Sequence, residues 1–232
     1  MTKMLKNIIA GAAVLAAACL FGQVQPVQAA DDYALRLADD NQWYYYQNDE
    51  VDTAYQGLAL NEYGWWYVSD GTIDWDYTGM ALNDYGWWYV TGGTVDFNYT
   101  GMALNEYGWW YFNNGVLDLS YTGMALNEYG WWKINNGEVD FSYSGMVLNQ
   151  YGWWYVNNGG LDGSYSGMGV NEYGWWKYDN GTVDFNYSGI ALNDYGWWKF
   201  VNGSIDFGAN GLDFDEATNT WWYFNGGAID FA

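Results

Sequence analysis

The feature that most constrains this chain is a short internal repeat. The tetrapeptide Tyr-Gly-Trp-Trp recurs at a constant step of 22 residues, beginning at Tyr63, Tyr85, Tyr107, Tyr129, Tyr151, Tyr173 and Tyr195. A degenerate copy precedes this series at Trp43, and a last copy follows at Trp221. Such a period is typical of stacked supersecondary units whose irregular members cap the two ends. The sequence therefore predicts a single array of nine copies over residues 43–232.

Each copy has the composition of a β-hairpin. In the copy that begins at Tyr85, residues 87–90 and 94–97 are rich in strand-forming side chains and flank a Gly-containing turn. In other copies this turn contains Asn-Gly or Asp-Gly, which accept the positive φ that a type I′ turn needs at both central positions. The Asn114-Gly115 turn then predicts a register in which Phe112 opposes Leu117, Tyr111 opposes Asp118 and Trp110 opposes Leu119.

Alternation along the strands divides each copy into two faces. The second Trp, Val95 and Phe97 are predicted on the core face, with an apolar residue that is Val68, Val90, Phe112, Ile134, Val156, Tyr178, Phe200 or Phe224. The other face carries the first Trp and a position where Tyr and Lys exchange, which is typical of a side-chain tip in water. The same register predicts opposite charges facing each other across strands, at Lys133 and Asp140, Lys177 and Asp184, and Lys199 and Asp206.

A single two-stranded hairpin is only marginally stable in water, so successive copies must bury surface against each other. The segment that links the hairpins reads Tyr-Thr/Ser-Gly-Met-Ala-Leu-Asn, and Tyr99, Met102 and Leu104 are predicted to lie between successive hairpins. The predicted fold class is all-β, a solenoid of stacked two-stranded β-hairpins with a 22-residue repeat.

Residues 1–29 are predicted to be a secretory signal peptide. Lys3 and Lys6 precede an apolar run, and residues 27–29 form the small-x-small pattern of a cleavage site. Cleavage after Ala29 would leave a short polar lead-in, residues 30–42, before the array. The alternatives are a retained N-terminal anchor and a lipoprotein signal processed at Cys19, although the usual Leu before that cysteine is missing.

The composition of the mature chain excludes several function classes. It would carry all 28 acidic side chains, four basic ones, no cysteine and no histidine, a net charge of about −24. Nucleic acid and anionic lipid would be repelled, so neither is an expected partner after signal removal. One Asp per copy does not gather the roughly six to eight oxygen ligands of a calcium site, and no metal or other cofactor is expected. Because every internal Asp has several equivalents, no unique catalytic constellation is predicted, and the chain is not expected to be an enzyme.

Four motifs of the repeat, Gly-Trp-Trp-Tyr-Val, Asn-Gly, Val-Asp-Phe and Tyr-Thr-Gly, resemble the cell-wall-binding repeats of bacterial surface proteins. The similarity covers residues 43–232 and includes the choline-binding and glucan-binding types, which are stacked aromatic hairpins. It implies noncovalent attachment to wall polymers. Choline-binding repeats usually carry Trp directly after the Thr-Gly pair, where it helps to build a choline cage. Here Met80, Met102 and Ile190 follow that pair or its Ser-Gly variant, so the cage is not carried over.

Ligand contacts are predicted on the face that carries the first Trp. Flat aromatic rings stack on sugars or attract quaternary ammonium groups, and the neighbouring Tyr and Asp could bind hydroxyls or a cation. The alternative is that these residues only pack a very small repeat. The predicted ligand-binding residues are Trp65, Trp87, Trp109, Trp131, Trp153, Trp175, Trp197, Tyr67, Tyr89, Tyr111, Tyr155, Asp74, Asp96, Asp118, Asp140, Asp184 and Asp206.

The sequence thus favours a secreted, noncatalytic protein held noncovalently at the bacterial cell surface. Repeated weak sites would bind a wall polymer or an extracellular glycan through avidity. Neutral glucan, choline-bearing teichoic acid and peptidoglycan are the candidate partners. The alternative is a structural, self-associating extracellular repeat protein without a polymer ligand.

Overall fold

The computed structural model describes residues 33–231, which form 27 β-strands. The predicted signal peptide, residues 1–29, lies outside the described residues. Within residues 33–231 there is no helix that is long and apolar enough to cross a membrane. The strands fall into sets of three that repeat every 22 residues, each with a first strand, a Trp strand that carries the Trp pair, and a two-residue short strand. This confirms the predicted all-β repeat fold.

We number the three-stranded copies 1 to 9 in chain order. Copies 1 to 4 contain β1 (Leu35–Leu37), β2 (Trp43–Gln47), β3 (Glu50–Val51), β4 (Gly57–Asn61), β5 (Gly64–Ser69), β6 (Thr72–Ile73), β7 (Gly79–Asn83), β8 (Gly86–Thr91), β9 (Thr94–Val95), β10 (Gly101–Asn105), β11 (Gly108–Asn113) and β12 (Val116–Leu117). Copies 5 to 9 contain β13 (Gly123–Asn127), β14 (Gly130–Asn135), β15 (Glu138–Val139), β16 (Gly145–Asn149), β17 (Gly152–Asn157), β18 (Gly160–Leu161), β19 (Gly167–Asn171), β20 (Gly174–Asp179), β21 (Thr182–Val183), β22 (Gly189–Asn193), β23 (Gly196–Val201), β24 (Ser204–Ile205), β25 (Gly211–Asp215), β26 (Thr220–Asn225) and β27 (Ala228–Ile229). Strand β1 falls in the predicted polar lead-in and pairs antiparallel with β2.

The longest pairing in a copy joins its first strand to its Trp strand. In copy 3, β7 and β8 pair antiparallel along the whole of β7. Asn83 holds the turn between them, because its Oδ1 accepts the backbone N–H of Tyr85 and the indole N–H of Trp88, both at 2.9 Å. The first strand was predicted to be part of a linker between hairpins, and that prediction is wrong.

The second turn of each copy joins the Trp strand to the short strand, as predicted. In copy 4 it contains Asn114 at φ 52° and Gly115 at φ 76°, so both central residues have the positive φ of a type I′ turn. Other copies place Asn, Asp or Gly at the first of these positions with the same sign of φ. The turn chemistry read from the sequence is therefore confirmed.

The strand after this turn is shorter than predicted. Phe112 opposes Leu117, and the N–H of Asp118 donates to the carbonyl of Tyr111 at 2.9 Å, both in the predicted register. The ladder then stops, because Asp118 Oδ1 accepts the N–H of Ser120 at 2.9 Å and its hydroxyl at 2.6 Å, which begins a turn. The predicted pairing of Trp110 with Leu119 is wrong.

Trp110 instead pairs with two other strands. It lies opposite Ala103 of its own first strand and opposite Glu138 of the next copy's short strand. The Trp strand is thus flanked on one side by its own hairpin partner and on the other by the following copy. This arrangement ties each copy to its neighbour by backbone pairing as well as by side chains.

The described residues form two compact bodies. The N-terminal body extends to Tyr121 and includes Asn136–Glu138, and the C-terminal body comprises Thr122–Asn135 and the residues from Val139 onward. In the N-terminal body, stacking uses the backbone of Gly115, whose carbonyl accepts from Tyr89 N at 2.9 Å and whose N–H donates to Tyr99 at 2.8 Å. In the C-terminal body Gly159 makes the equivalent bonds with Lys133 and Tyr143, at 2.7 and 2.8 Å. Each body is therefore a run of stacked hairpins, as the predicted solenoid requires.

The buried side chains lie between successive copies. The predicted core position of the Trp strand is fully buried in every copy where it was predicted, at Val68, Val90, Phe112, Ile134, Val156, Tyr178, Phe200 and Phe224. Around Phe112 of copy 4 pack Met80 of copy 3, Ala103 and Leu117, and half-buried Tyr99 also lies against this cluster. Met102 is buried too. The predicted positions of Tyr99 and Met102 are consistent with this packing.

Two predicted core positions are on the surface. Phe97 is 56% exposed, because the strand ends at Val95 and the turn at Asp96 carries the next residue out of the ladder. Leu104 is 54% exposed. It lies on the first strand directly opposite Trp109, on the side of the hairpin that faces solvent. The predictions that placed Phe97 in the core and Leu104 between hairpins are wrong.

Candidate functional site

The first Trp of each pair lies where two successive copies meet. Its ring is half-buried in copies 2 to 7, and at several junctions of the described chain it meets edge-on the Tyr that precedes the next copy's Trp strand. The centroids are 5.9 Å apart at 70° for Trp65 and Tyr85, and 6.3 Å apart at 80° for Trp153 and Tyr173. We call each such pair an aromatic corner; examples are Trp65–Tyr85, Trp131–Tyr151, Trp153–Tyr173 and Trp175–Tyr195.

The tyrosine of each corner is accessible to a ligand. Tyr173 is 72% exposed, and Tyr85, Tyr151 and Tyr195 are exposed as well. These tyrosines were predicted only as markers of the repeat and not as site residues. Their fixed place directly before Gly-Trp-Trp was a signal that could have identified them. Trp87 and Trp109 are also half-buried, whereas Trp197 is 43% exposed. An exposed ring set at a steep angle to a packed ring leaves two apolar surfaces open to one ligand.

The predicted ligand-binding tyrosines lie in a different environment. Tyr67, Tyr89, Tyr111 and Tyr155 each stack face to face on the Tyr ten residues later, with centroids 3.5 Å apart for Tyr67 and Tyr77. The hydroxyl of Tyr77 donates to the carbonyl of Met80 at 2.6 Å. Burial raises the pKa of Tyr77 to about 12, and that of Tyr55 likewise. One face of each predicted Tyr is therefore covered by another ring and is closed to a ligand.

The predicted register of the lysines is confirmed, but their ammonium groups do not pair with the facing carboxylates. The backbone N–H of Asp140 donates to the carbonyl of Lys133 at 2.9 Å, and the same bond joins Asp184 to Lys177 and Asp206 to Lys199. The ammonium group of Lys133 donates to the carbonyl of Ile134 at 2.8 Å and lies 5.6 Å from the centre of the Tyr143 ring. Lys177 repeats this arrangement with Tyr178 and Tyr187. Lys199 pairs with Asp213 at 2.8 Å and not with Asp206.

The charged groups stay apart because the Asp carboxylates take part in the turns that follow the short strands. Asp96 Oδ1 accepts from Asn98 N at 2.9 Å, and Asp184 Oδ1 accepts from Asn186 N at 3.0 Å. Asp74, Asp118, Asp140 and Asp206 do the same. The hydrogen bond from Ser142 is the main reason that the pKa of Asp140 is lowered, and Lys133 contributes less. No three carboxylates of residues 33–231 converge as metal ligands.

A second row of aromatic pairs was missed by the sequence analysis. The second Trp of a copy meets edge-on the Phe that follows the turn-forming Asp, with centroids 5.8 Å apart for both Trp88–Phe97 and Trp176–Phe185. The signal was the recurrence of an aromatic residue after an Asp that ends a strand. We call these exposed residues the Phe row; they are Trp75, Phe97, Phe141, Phe185, Phe207 and Phe231.

The position after Thr-Gly is a core position in this chain. Met80 lies opposite Tyr89 across the hairpin and is buried against Ala103 and Phe112 of the next copy. A side chain here cannot line an open cage without leaving the core. The structure therefore accounts for Met at the place where choline-binding repeats usually carry Trp.

Comparison with protein-family models identifies five consecutive copies of the choline-binding repeat, at residues 54–74, 76–96, 98–118, 120–140 and 142–162. Each match contains one first strand, one Trp strand and one short strand. A comparison with curated protein sequences finds no match. The family match confirms the resemblance seen in the motifs and agrees with the stacked hairpins of the structure. Residues 54–162 therefore belong to the choline-binding repeat family.

Proposed function

We propose that this protein is a secreted, noncatalytic binding protein that attaches to a cell-wall polymer or extracellular glycan at the bacterial surface. The observation that carries the proposal is the recurrence of aromatic corners at successive junctions, each with a packed Trp and an exposed Tyr. Choline-binding repeats suggest a cell-surface role in binding choline or carbohydrate, which is consistent with these corners.

Repetition compensates for weak single contacts. A ring that is held by core packing loses little conformational entropy when it stacks on a ligand. A polymer with regularly spaced residues can occupy several corners at once, so that the second and later contacts form at a high effective concentration. Affinity for the polymer should therefore depend on how many corners are intact.

Charge favours two classes of polymer over a third. The mature chain carries a net charge of about −24, which repels bare anionic teichoic acid. A neutral glucan or peptidoglycan glycan escapes this repulsion, and a choline-bearing polymer adds quaternary ammonium groups that aromatic rings attract. The ligand of the corners thus belongs to the neutral or choline-bearing polymers.

The test is co-sedimentation of the chain with choline-bearing walls and with insoluble glucan, using choline chloride and soluble glucan as competitors. Tyr151→Ala, Tyr173→Ala and Tyr195→Ala, combined stepwise, remove the exposed half of three corners without touching buried side chains. Binding should weaken with each added substitution. Competition by choline alone or by glucan alone identifies the polymer class.

The matched control removes exposed rings from the Phe row. Phe141→Ala, Phe185→Ala and Phe207→Ala delete side chains that are also solvent-exposed. Polymer binding should survive these changes. If the wild-type chain stays in the supernatant with every wall and glucan, the proposal is wrong.

Self-association is the second candidate function, and the Phe row favours it. A row of exposed rings is a surface that buries readily against an identical copy. Sedimentation velocity of the chain decides this case: concentration-dependent assembly that the triple Phe variant abolishes supports self-association. A wild-type chain that remains monomeric at all concentrations contradicts it.

A further inference from the structure

One copy departs from the others at two positions of its short strand and following turn. Copy 6 has Gly160 at the first position of its short strand. The other copies from 2 to 9 have a side chain there, at Thr72, Thr94, Val116, Glu138, Thr182, Ser204 and Ala228. Three residues later copy 6 has Gly163, where those copies carry Trp75, Phe97, Leu119, Phe141, Phe185, Phe207 and Phe231. Both side chains that would cover this part of the copy are therefore missing.

The first missing side chain normally covers a Trp of the preceding copy. Val116 pairs with Trp88 and packs against its cluster, and Trp88 is only 6% exposed. Gly160 pairs with Trp132 in the same way. A Cβ at Gly160 would lie 3.3 Å from Cζ3 of Trp132, so residue 160 contributes no side chain against the six-membered ring of this Trp, which is partly buried.

Backbone conformation does not explain either glycine. The neighbouring Gly159 has φ +79° and occupies a turn position that favours glycine, whereas Gly160 and Gly163 do not have a left-handed φ. A Cβ at Gly163 would meet nothing nearer than Leu161 Cδ2 at 4.0 Å. A side chain at Gly163 would be accepted, whereas one at Gly160 requires the Trp132 ring to shift by a few tenths of an ångström. Backbone strain excludes neither side chain, so their absence is the distinctive feature of copy 6.

Together the two glycines open a cleft of about 460 Å³. Its floor is the Trp132 ring, and its remaining walls are Asn157, Asn158, Leu161, Asp162 and Ser164. The volume lies within the range of about 300–1,000 Å³ that is usual for ligand pockets. We call this space the glycine cleft.

The floor of the glycine cleft is rigid. The indole N–H of Trp132 donates to Asn127 Oδ1 at 2.9 Å, and the ring meets Phe141 edge-on with centroids 5.8 Å apart. A ring held in this way presents a fixed apolar surface.

The rim of the cleft is polar. Asp162 Oδ1 accepts from the N–H of Ser164 at 3.0 Å and from its hydroxyl at 2.7 Å, which holds the carboxylate in place. The side chains of Asn157 and Asn158 are exposed at the turn and supply amide donors and acceptors. An apolar floor with a rim of carboxylate and amide groups matches a pyranose ring, whose C–H face is apolar and whose edge carries hydroxyls.

We propose that the glycine cleft is a single binding site for a pyranose ring of a neutral glycan, separate from the aromatic corners. The inference deepens the proposed function by naming a ligand class, and it rests on that function for its biological context. A cation binds more weakly to one Trp face than to a cage of several rings, and the negative charge of Asp162 repels an acidic sugar. A neutral sugar is the ligand that the floor and the rim both accept.

The test is a calorimetric titration of the full chain with isomaltotetraose, cellotetraose and chitotetraose. At least one tetrasaccharide should bind with one site per chain. Gly160→Thr restores the side chain found in copies 2, 3 and 7 and should weaken this binding by about tenfold or more, because it covers the stacking surface. Gly163→Phe, which has room for its side chain, should do the same.

Ser204→Thr is the matched control, because Ser204 of copy 8 occupies the equivalent position opposite Trp176 of copy 7. It should leave tetrasaccharide binding unchanged, and circular dichroism should show the same fold in all three variants. The inference is overturned if no tetrasaccharide gives a saturable signal, if binding is the same in Gly160→Thr and Gly163→Phe as in the wild type, or if only choline binds there.

The two proposals fail in distinguishable ways. If the glycine cleft is not a sugar site, walls or glucan still sediment the chain through the corners, while the titration shows no tetrasaccharide bound at the cleft. If the corners are not polymer sites, stepwise loss of Tyr151, Tyr173 and Tyr195 has no effect on co-sedimentation, while one tetrasaccharide still binds and is lost in Gly160→Thr.

Discussion

Single residues are adjusted to one another inside the repeat, most clearly at Tyr178 and Gly169. Copy 7 places Tyr at the core position, where the other copies from 2 to 9 carry Val, Ile or Phe, and it has Gly169 where most have Ala. A Cβ at Gly169 would lie 3.1 Å from Met146 Sδ and from Tyr178 Cε2. The larger core side chain and the smaller neighbour keep the interior close-packed.

Removing the hydroxyl of Tyr178 should stabilise the protein. This oxygen is buried and has no hydrogen-bond partner, and burial raises the pKa of the phenol. An unsatisfied buried polar group costs about 1–3 kcal/mol, so Tyr178→Phe should raise the free energy of unfolding by about 1 kcal/mol. Phe112 and Phe200 show that Phe fits this position in other copies. Thermal unfolding followed by circular dichroism measures the change.

Tyr165→Phe provides the comparison for this prediction. The hydroxyl of Tyr165 donates to the carbonyl of Met168 at 2.7 Å, so its removal should lower the unfolding midpoint. A Tyr178→Phe chain that unfolds at a lower temperature than wild type would contradict the expected gain.

At the residue scale, the sequence identified the buried position of the Trp strand correctly in copies 2 to 9. It placed Phe97 on the same face because strict alternation was extended past Val95. An Asp that accepts hydrogen bonds from the next residues ends a strand, and alternation carries no information beyond that point. The Tyr of each aromatic corner was missed because its contact is with a ring of the preceding copy.

At the scale of elements, the turn before the short strand has to fit closely against the previous copy. Gly93 has φ +75°, and a Cβ on it would lie 2.5 Å from the carbonyl oxygen of Asp74. Backbone cannot move aside as a flexible side-chain tip can, so this close approach is possible only for glycine.

Gly93→Ala should destabilise the N-terminal body by more than its backbone strain alone. Gly92 is the matched control, since it has φ +58° in the same turn but its Cβ would meet nothing nearer than Trp75 O at 3.8 Å. Gly92→Ala should cost about 1 kcal/mol of unfolding free energy for the left-handed φ, and Gly93→Ala clearly more. Equal urea-unfolding midpoints for the two variants would show that the close approach does not matter.

The stacked tyrosine pairs make the fold sensitive to alkaline pH. The phenol pKa of Tyr55 and of Tyr77 rises from 10.0 to about 12, chiefly because burial disfavours the phenolate. The folded chain therefore holds these protons more tightly than the unfolded chain. Their contribution to stability is complete below pH 10 and is lost as the pH rises towards about 12.

We expect the thermal midpoint to fall across this alkaline range. Tyr77→Phe should reduce the pH dependence while leaving the fold intact, and the ultraviolet absorbance of phenolate should show that part of the tyrosine titrates late. A midpoint that stays constant up to pH 12 would contradict the shift.

Elements were predictable where the signal was local. Asn-Gly and Asp-Gly turns depend on the φ preferences of two adjacent residues, and the structure confirms them. The first strand, Gly101–Asn105 in copy 4, was missed because Gly-Met-Ala-Leu-Asn has little β-branched or aromatic character. Its conformation comes from pairing with the Trp strand.

At the scale of the whole molecule, the Trp strand of one copy pairs with the short strand of the next copy, at positions 28 residues apart. Trp66 pairs with Thr94, Trp88 with Val116, and Trp154 with Thr182. Stability in such a repeat is approximately a sum of copies and of interfaces between neighbours. Whole copies should therefore be removable as units.

Deletion of residues 76–97 should leave a folded protein. The excision removes one period and joins Trp75 to Asn98, so that Trp66 meets the short strand of the former copy 4. One copy and one interface are lost, so the unfolding midpoint should fall modestly. Circular dichroism and thermal unfolding test this.

Deletion of residues 76–86 is the control for this prediction. This deletion removes half a period, so that first-strand residues take the place of the short strand. The register along the strands is then broken. This chain should lose cooperative unfolding. If the two deletions were equally damaging, the copies would not act as interchangeable units.

The sequence by itself determined the period, the turns, the acidity and the fully buried residue of each Trp strand, because each is encoded locally or by direct repetition. The tertiary structure decided which strands pair, which rings meet and where the surface opens. Trp110 faces Glu138, and Trp132 faces Gly160, only because the next copy stacks at that register. Those contacts depend on the packing of residues far apart in the chain, which local alternation does not encode.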